Sequence, residues 1–262
     1  MPYDYENFRV EREGDVLRVA IDSTSKMNAL NRTMTDELLD LAVSLHGDDV
    51  RCLALTGSDG VFCAGGDVAG FAADADPSTE MRRGASLLHD AVVHLRRAEV
   101  PVVTGVNGPA VGAGLSLAIL GDVVLAGEGS YFQFGYPRIG LTGDGGSTYF
   151  LPRLLGLRGA LDFALRNRRV AAAEAVEMGL ATDLVAADAL DDELTAVSEA
   201  LAAGPTVALG RTRQLLAESF ERGFEAHLAA EADTIARTAR TADFEEGVRS
   251  FTEGRDPAFE GR

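Results

Sequence analysis

Apolar residues along this chain alternate between short β-type runs and longer segments with helical spacing. Short apolar runs predict strands at residues 16–21, 52–56, 101–106, 122–126 and 131–134. Between them, apolar positions three and four residues apart predict helices at residues 31–45 and 80–97, and a glycine turn that becomes a helix at residues 143–155. This repeated order of strand, loop and helix predicts an α/β core.

The pattern changes after Val185, where only helical spacing remains. It predicts helices at residues 188–203, 205–220, 223–240 and 243–253. Pro205 suits the first turn of its helix and follows a break at Gly204. We therefore divide the chain into an α/β core, residues 1–203, and a C-terminal helical region, residues 204–262, which covers the core or forms an oligomer interface.

Composition limits the classes of function. The chain has 262 residues, of which 46% are hydrophobic and 25% charged, as in ordinary globular proteins. It has no apolar run long enough to span a membrane and no signal-peptide core, so a cytoplasmic location is expected. The net charge of −17 disfavours nucleic-acid binding, which depends on Lys and Arg at phosphates. Cys52 and Cys63 have no metal-ligand spacing and are expected to be buried free thiols.

Two glycine-rich segments carry the candidate chemistry. FCAGGDV covers residues 62–68 and NGPAVGAGLSLA covers residues 107–118, and each follows a predicted strand. Glycine and alanine let backbone N–H groups approach a ligand without interference from larger side chains. The two segments therefore predict a pair of backbone donors that hold one developing oxyanion between them.

These segments belong to a wider set of motifs. Together with SKMNAL, QFGYPRIGL, MGLATDLV and EGVRSFTEGR, they resemble the crotonase, or enoyl-CoA hydratase/isomerase, superfamily over nearly the whole chain. The resemblance implies a ClpP-like spiral of ββα units with a C-terminal helical region that mediates homotrimers or hexamers. It also implies acyl-CoA thioesters as substrates, with enolate-like anions stabilised in the site. Coenzyme A is then part of the substrate, and neither a separate cofactor nor a metal is expected.

Matching the family motifs residue by residue assigns the two oxyanion-hole N–H groups to Gly66 and Ala113. Lys26 lies where the family loop passes the CoA nucleotide, and Ala64 where the family backbone meets the adenine. The other positions that the resemblance places near the substrate are Ala29, Gly65, Asp67, Val68, His89, Gly112, Gly114 and Tyr136. Asp67 also suits the cap of a following helix, and the small residues around Ala113 suit close helix packing.

The carboxylates of the family hydratases are missing. Those enzymes use two glutamates, and the matching positions here hold Ser116 and Arg138. Syn hydration needs one group to activate water and one to protonate carbon, so ordinary hydration is not expected. Asp144 instead matches the single acid/base of isomerases of the phenylacetate-pathway type. Its local sequence also suits a turn residue that caps the next helix.

Several functions stay open at this point. The leading expectation is an enoyl-CoA isomerase that moves a double bond, with Asp144 as acid and base. A 4-chlorobenzoyl-CoA dehalogenase would use Asp144 as nucleophile, with His89 at the matching histidine position and Tyr136 in place of a tryptophan. A hydratase-like enzyme using Asp144 and a non-catalytic acyl-CoA binder are further alternatives.

Overall fold

A computed structural model describes residues 4–46, 49–73 and 75–262. The strands are β1 (Phe8–Glu13), β2 (Val16–Ile21), β3 (Cys52–Gly57), β4 (Val102–Val106), β5 (Pro109–Val111), β6 (Val123–Gly127), β7 (Tyr131–Gln133), β8 (Val170–Ala171) and β9 (Asp183–Val185). The helices are α1 (Arg32–Ser44), α2 (Val68–Ala72), α3 (Pro77–Arg97), α4 (Ala113–Ala118), α5 (Ser147–Arg166), α6 (Ala172–Met178), α7 (Leu190–Ala202), α8 (Thr206–Glu218), α9 (Phe224–Thr238) and α10 (Ala242–Glu253). Two 3-10 turns lie at Lys26–Asn28 and Tyr136–Ile139.

The strands form two sheets. The larger has the order β1-β2-β3-β4-β6-β9, and all its neighbouring pairs are parallel except β1 with β2. The smaller has the order β5-β7-β8. Parallel strands joined by helices confirm the predicted α/β class, and the carboxyl ends of β3 and β4 lie side by side.

Burial explains which strands the sequence reveals. Every residue of β3 and β4 is buried, so both strands read as continuous apolar runs. In β1 only Phe8 is buried, and the polar sequence FRVERE gave no strand prediction. β5, β8 and β9 have only two or three residues and were not predicted either, because so few residues show no period. β7 is equally short but was predicted as part of the run YFQF.

Helix ends follow local hydrogen bonds. Asn31 Oδ1 accepts from the Met34 N–H at 2.8 Å, so Asn31 caps α1. α5 runs past the predicted end at residue 155, with a break at Gly156, where φ is +68°. Glycine tolerates that angle, which lets the helical segment change direction and continue to Arg166.

The four predicted C-terminal helices are present as α7 to α10. Leu190 and Leu194 of α7 pack on the large sheet against Val103 and Leu125. α8 is held by Arg213, whose side chain binds Asp122 and the backbone carbonyl oxygens at the end of α3. In the part of the chain that the structure describes, no helix is long and apolar enough to cross a membrane.

Candidate active site

The two glycine-rich segments meet beyond the ends of β3 and β4. Cys63 pairs with Ala110 in a parallel bridge, through the Cys63 N–H to Pro109 and the Val111 N–H to Cys63. Neighbouring parallel strands deliver their following loops to the same sheet edge. The structure therefore brings together, near one edge of the large sheet, two segments that lie far apart in the sequence.

The N–H of Gly66 points away from Leu30, the residue with which Gly66 forms a parallel bridge. Leu30 donates to Gly65 and accepts from Asp67, so the bridge between Leu30 and Gly66 uses the residues on either side of Gly66. In a parallel bridge of this kind, the peptide N–H of the central residue faces the opposite side. Gly65 makes the required bend with φ of +101°, where an added Cβ would lie 3.0 Å from the Val111 carbonyl oxygen. Gly66 therefore presents its N–H to the space beyond the sheet.

Ala113 is the first residue of α4, so no carbonyl four residues earlier in the helix accepts from its N–H. The preceding Gly112 has φ of +58° and donates its own N–H to Gln133 at 3.1 Å. Gly114 packs against the other segment, because a Cβ there would lie 2.1 Å from the Cys63 carbonyl oxygen. The close helix packing expected for this small-residue stretch is therefore confirmed for Gly114. This packing holds the Ala113 N–H beside the segment that contains Gly66.

Asp144 does not cap α5 with its side chain. The helix begins after Gly146, which makes no side-chain cap. It is the backbone carbonyl of Asp144 that accepts, from the Ser147 N–H at 3.0 Å, from the Ser147 hydroxyl at 2.9 Å and from the Ser116 hydroxyl at 3.0 Å. These three bonds fix the backbone and leave the carboxylate to face the cavity.

The Asp144 carboxylate has one defined partner there. Tyr136 donates its O–H to Asp144 Oδ1 at 2.6 Å, a length typical of a charge-assisted bond. Burial, and next the charge of Asp144, raise the pKa of Tyr136 well above its usual range. The phenol therefore stays protonated at neutral pH and donates to the carboxylate.

A cavity of about 480 Å³ lies in front of these groups. It is lined by nine of the residues matched to the family site, which are Ala64, Gly65, Gly66, Asp67, Val68, Gly112, Ala113, Tyr136 and Asp144. Asp67 also caps α2, because its Oδ1 accepts from the Gly70 N–H at 3.1 Å, so the cap reading of this residue is correct. The volume and the convergent polar groups are those of a small-molecule site.

Four of the matched residues lie outside this lining. Lys26 is exposed in its 3-10 turn, with Ala29 just after it, and the same loop is tied to the site through the Ala64 N–H and the Met27 carbonyl. Gly114 is buried in packing, as described above. His89 accepts at Nε2 from the Gly145 N–H at 3.1 Å, so it contacts the backbone next to Asp144 rather than the first cavity.

The structure shows what occupies the two positions of the missing glutamates. Ser116 is completely buried beneath the Asp144 loop, and its neighbour Gly145 would place a Cβ 2.8 Å from the Ser116 Cβ. Arg138 is exposed and lines the first cavity. Neither supplies a carboxylate, whereas Asp144 lines the same cavity as Gly66 and Ala113.

Sequence reasoning missed two parts of this arrangement. Tyr136 was matched to the substrate, whereas its hydroxyl binds Asp144. A second cavity, which Asp144 also lines, was not predicted either. Across the described ranges, no group of three or more His, Cys, Asp or Glu is arranged to hold a metal. Burial raises the pKa of the Cys63 thiol, which lies beside Gly65, to about 12.

Comparisons with known proteins identify a family. A family model described as enoyl-CoA hydratase/isomerase matches residues 11–262. A probable enoyl-CoA hydratase of Rhodobacter capsulatus is 34% identical, over 98% of this chain and 99% of that protein. The 1,2-epoxyphenylacetyl-CoA isomerase of Escherichia coli is 31% identical, over 95% and 97%.

Two further matches widen the range of chemistry and support the fold. The 4-chlorobenzoyl coenzyme A dehalogenase-2 of an Arthrobacter species is 29% identical, over 92% of this chain and 89% of that protein. The crystal structure of an enoyl-CoA hydratase from Polaromonas sp. JS666 superposes with a TM-score of 0.92 at 26% identity, covering 97% of this chain and 99% of that one. Relatives with one fold thus carry names of three different reactions.

Proposed function

This chain belongs to the enoyl-CoA hydratase/isomerase family of acyl-CoA-processing enzymes, and from that premise we propose that it is an enoyl-CoA isomerase that uses Asp144 as acid and base. The observation that carries the proposal is the carboxylate of Asp144, held by Tyr136 at the cavity that Gly66 and Ala113 also line. The same described lining contains two further carboxylates that are engaged elsewhere, since Asp67 caps α2 and Glu80 pairs with Arg32. One carboxylate suffices for a reaction that removes a proton from one carbon and returns it to another.

The proposed reaction converts a 3-enoyl thioester to the 2-enoyl isomer. Asp144 removes a proton from C2, and the electrons of the broken C–H bond move into a dienolate whose charge rests on the thioester oxygen. The N–H groups of Gly66 and Ala113 donate to that oxygen, and each such donor contributes roughly 3 kcal/mol to transition-state stabilisation. Asp144 then delivers the proton to C4, which leaves the double bond between C2 and C3 and regenerates the carboxylate.

A separate observation disfavours each of the three alternatives. Hydration needs a second acid/base beside Asp144, and Ser116 is buried and uncharged. The dehalogenase reading needs His89 as a partner in the chemistry, whereas Nε2 of His89 is engaged by the Gly145 N–H. A non-catalytic acyl-CoA binder needs no carboxylate directed into the cavity.

The test is turnover of a 3-enoyl-CoA by the purified protein, followed by the absorbance of the conjugated thioester. We expect Asp144→Asn to lose at least about a hundredfold in kcat while it still binds acyl-CoA in calorimetry. Asp90→Asn is the matched control, since Asp90 is an exposed aspartate of α3 outside both cavities. Full activity of Asp144→Asn, or turnover only of a 4-chlorobenzoyl-CoA, would contradict the proposal.

We also propose that the chain self-associates as a trimer or a dimer of trimers. The support is a set of large apolar side chains that remain exposed on the C-terminal helices, including Leu216, Phe220, Phe224, Ile235 and Phe251. A single copy leaves this apolar surface in water, which favours its burial against another surface. Light scattering after size exclusion would measure the mass directly, and a monomer at micromolar concentration would overturn this part.

A further inference from the structure

A second cavity, of about 730 Å³, adjoins the first at Asp144. Asp144 lines both cavities. Helix α3 lines them in succession, because Leu87 and Leu88 line the first cavity, and the second is lined by His89, Val92, Val93, Arg96 and Arg97. The two spaces therefore follow one another along a single helix, with the proposed acid/base between them.

This order sets the path of an acyl group. In the proposed reaction the Asp144 carboxylate must reach both C2 and C4 of the substrate, so the atoms beyond C4 continue past Asp144. The space on that side of Asp144 is the second cavity. Its wall contains the rings of Tyr149 and Phe150 and the guanidinium of Arg96. The same wall also contains Arg97 and the carboxylates of Glu218 and Glu221, so it is partly apolar and carries charges of both signs.

Arg96 is a cation without a carboxylate partner. Its guanidinium lies 5.3 Å from the Phe150 ring centroid and is half-buried. Among the residues that the structure describes, no carboxylate oxygen lies within 4.0 Å of it. Burial and then the nearby charge of Arg213 lower its pKa, although an arginine stays charged at neutral pH.

The acidic residues near Arg96 are engaged by other groups. Glu221 accepts a hydrogen bond from the Tyr149 hydroxyl, and Glu218 forms an ion pair with Arg222. Asp122 is bound by Arg213. A half-buried cation whose acidic neighbours are already paired is stabilised by an anion that enters from the cavity.

Resting on the proposed function, we propose that the second cavity accepts acyl groups that end in a carboxylate, with Arg96 binding that carboxylate. The planar guanidinium can donate two parallel hydrogen bonds to a carboxylate. Arg96 lies about two helical turns beyond His89, roughly 10 Å along the α3 axis. The terminal carboxylate must therefore be separated from the reacting carbons by several methylene groups, and short acyl groups do not reach it.

Binding of unreactive ligands tests this without reference to turnover. Calorimetry compares suberoyl-CoA, which ends in a carboxylate, with octanoyl-CoA of equal chain length and with free coenzyme A. We expect the wild-type protein to bind suberoyl-CoA about tenfold more tightly than octanoyl-CoA, as for one charge-assisted hydrogen-bonded pair. Arg96→Gln should abolish this preference and leave the affinity for octanoyl-CoA within about twofold, and Arg96→Lys should retain part of it.

The control is Arg82→Gln, which makes the same change on an exposed arginine of α3 outside both cavities, and it should keep the full preference. The proposal is overturned if the wild type shows no preference for suberoyl-CoA, or if the preference survives in Arg96→Gln. It is also overturned if Arg96→Gln weakens all three ligands equally, because Arg96 would then serve the coenzyme A phosphates. An inactive protein that still shows the Arg96-dependent preference would contradict the isomerase assignment and leave the carboxylate site standing.

Discussion

The hydroxyl of Tyr136 lies 2.6 Å from Oδ1 of Asp144 and donates to it across the 3-10 turn that separates the two residues. The bond fixes the direction of the carboxylate, while three hydrogen bonds to the Asp144 carbonyl oxygen fix its backbone. The proposed acid/base is therefore held at both its main chain and its side chain before any substrate binds.

Tyr136→Phe tests the value of that bond. The variant removes only the donor, so the carboxylate loses its defined orientation while the cavity keeps its shape. We expect kcat to fall about tenfold with a smaller change in KM, since a hydrogen bond to a charged group contributes roughly 1.5–3 kcal/mol. Tyr131→Phe is the control, because Tyr131 lies outside both cavities. Unchanged kcat in Tyr136→Phe would show that Asp144 needs no such support.

Gly114→Ala tests the contact that positions the Ala113 donor. An added methyl group would lie 2.1 Å from the Cys63 carbonyl oxygen, so the start of α4 must move away from the FCAGGDV segment. We expect a loss of at least about tenfold in kcat/KM from the displaced donor, together with a lower melting temperature. Gly223→Ala just before α9, where an added Cβ meets nothing within 4 Å and which lies outside both cavities, should leave both quantities close to wild type.

Ser116→Glu asks whether the hydratase carboxylate can simply be restored. Ser116 is completely buried and contacts the Asp144 loop, so a glutamate there must displace the loop or bury its charge. We predict a protein destabilised by several kcal/mol that gains no hydratase activity. Ser116→Ala, which loses one hydrogen bond to the Asp144 carbonyl, should cost only about 1 kcal/mol in urea unfolding. Hydration of a 2-enoyl-CoA by Ser116→Glu would refute the prediction.

Arg213 should be among the most sensitive positions for stability. Its buried guanidinium binds Asp122 and the carbonyl oxygens of Leu95, Arg96 and Ala98. Arg213→Leu leaves these acceptors unpaired, and we expect the free energy of unfolding to fall by about 3 kcal/mol or more. Arg211→Leu on the same helix removes a more exposed ion pair with Glu99 and a hydrogen bond to Gln214, and it should change the free energy of unfolding by less than about 1 kcal/mol.

The two thiols give a pH-dependent test of the core. Burial raises the pKa of Cys52 and Cys63 from 9.0 to about 12. Well below pH 9 both thiols are protonated in the folded and unfolded states, so they contribute almost nothing there to the pH dependence of stability. Between pH 9 and pH 12 only the unfolded thiols ionise, and stability falls as the pH rises. At pH 8, iodoacetamide should modify both cysteines in urea and neither in the native protein.

Much of the core could be predicted because burial leaves a pattern in the sequence. Strands buried on both faces, such as β3 and β4, appear as apolar runs, and the glycine segments follow them directly. The polar strand β1 and the short strands β5 and β8 leave no such pattern, because their residues are exposed or few. They are fixed by pairing with neighbours rather than by their own hydrophobicity.

The positions of Gly66 and Ala113 at the cavity could be predicted, whereas the contacts of the surrounding side chains could not. The Gly66 and Ala113 positions follow from motifs that are local in sequence. The contact of Tyr136 with Asp144 depends on the turn between them, and the surroundings of Arg96 depend on Glu221 and Tyr149, which come from distant parts of the chain. Such contacts arise from tertiary packing, for which the sequence carries no period.

Helix α3 lines both cavities, so the proposed reaction and the proposed choice of acyl group depend on different halves of one helix. Natural variation can therefore alter the two properties independently. Its first half faces the space where the bond rearrangement is proposed, and its second half faces the space that we propose receives the far end of the acyl group. Exchanges between His89 and Arg97 change the second space and leave the two backbone donors in place. A lineage carrying this fold can thus acquire a new substrate range by small steps in one half of a single helix while its reaction is preserved.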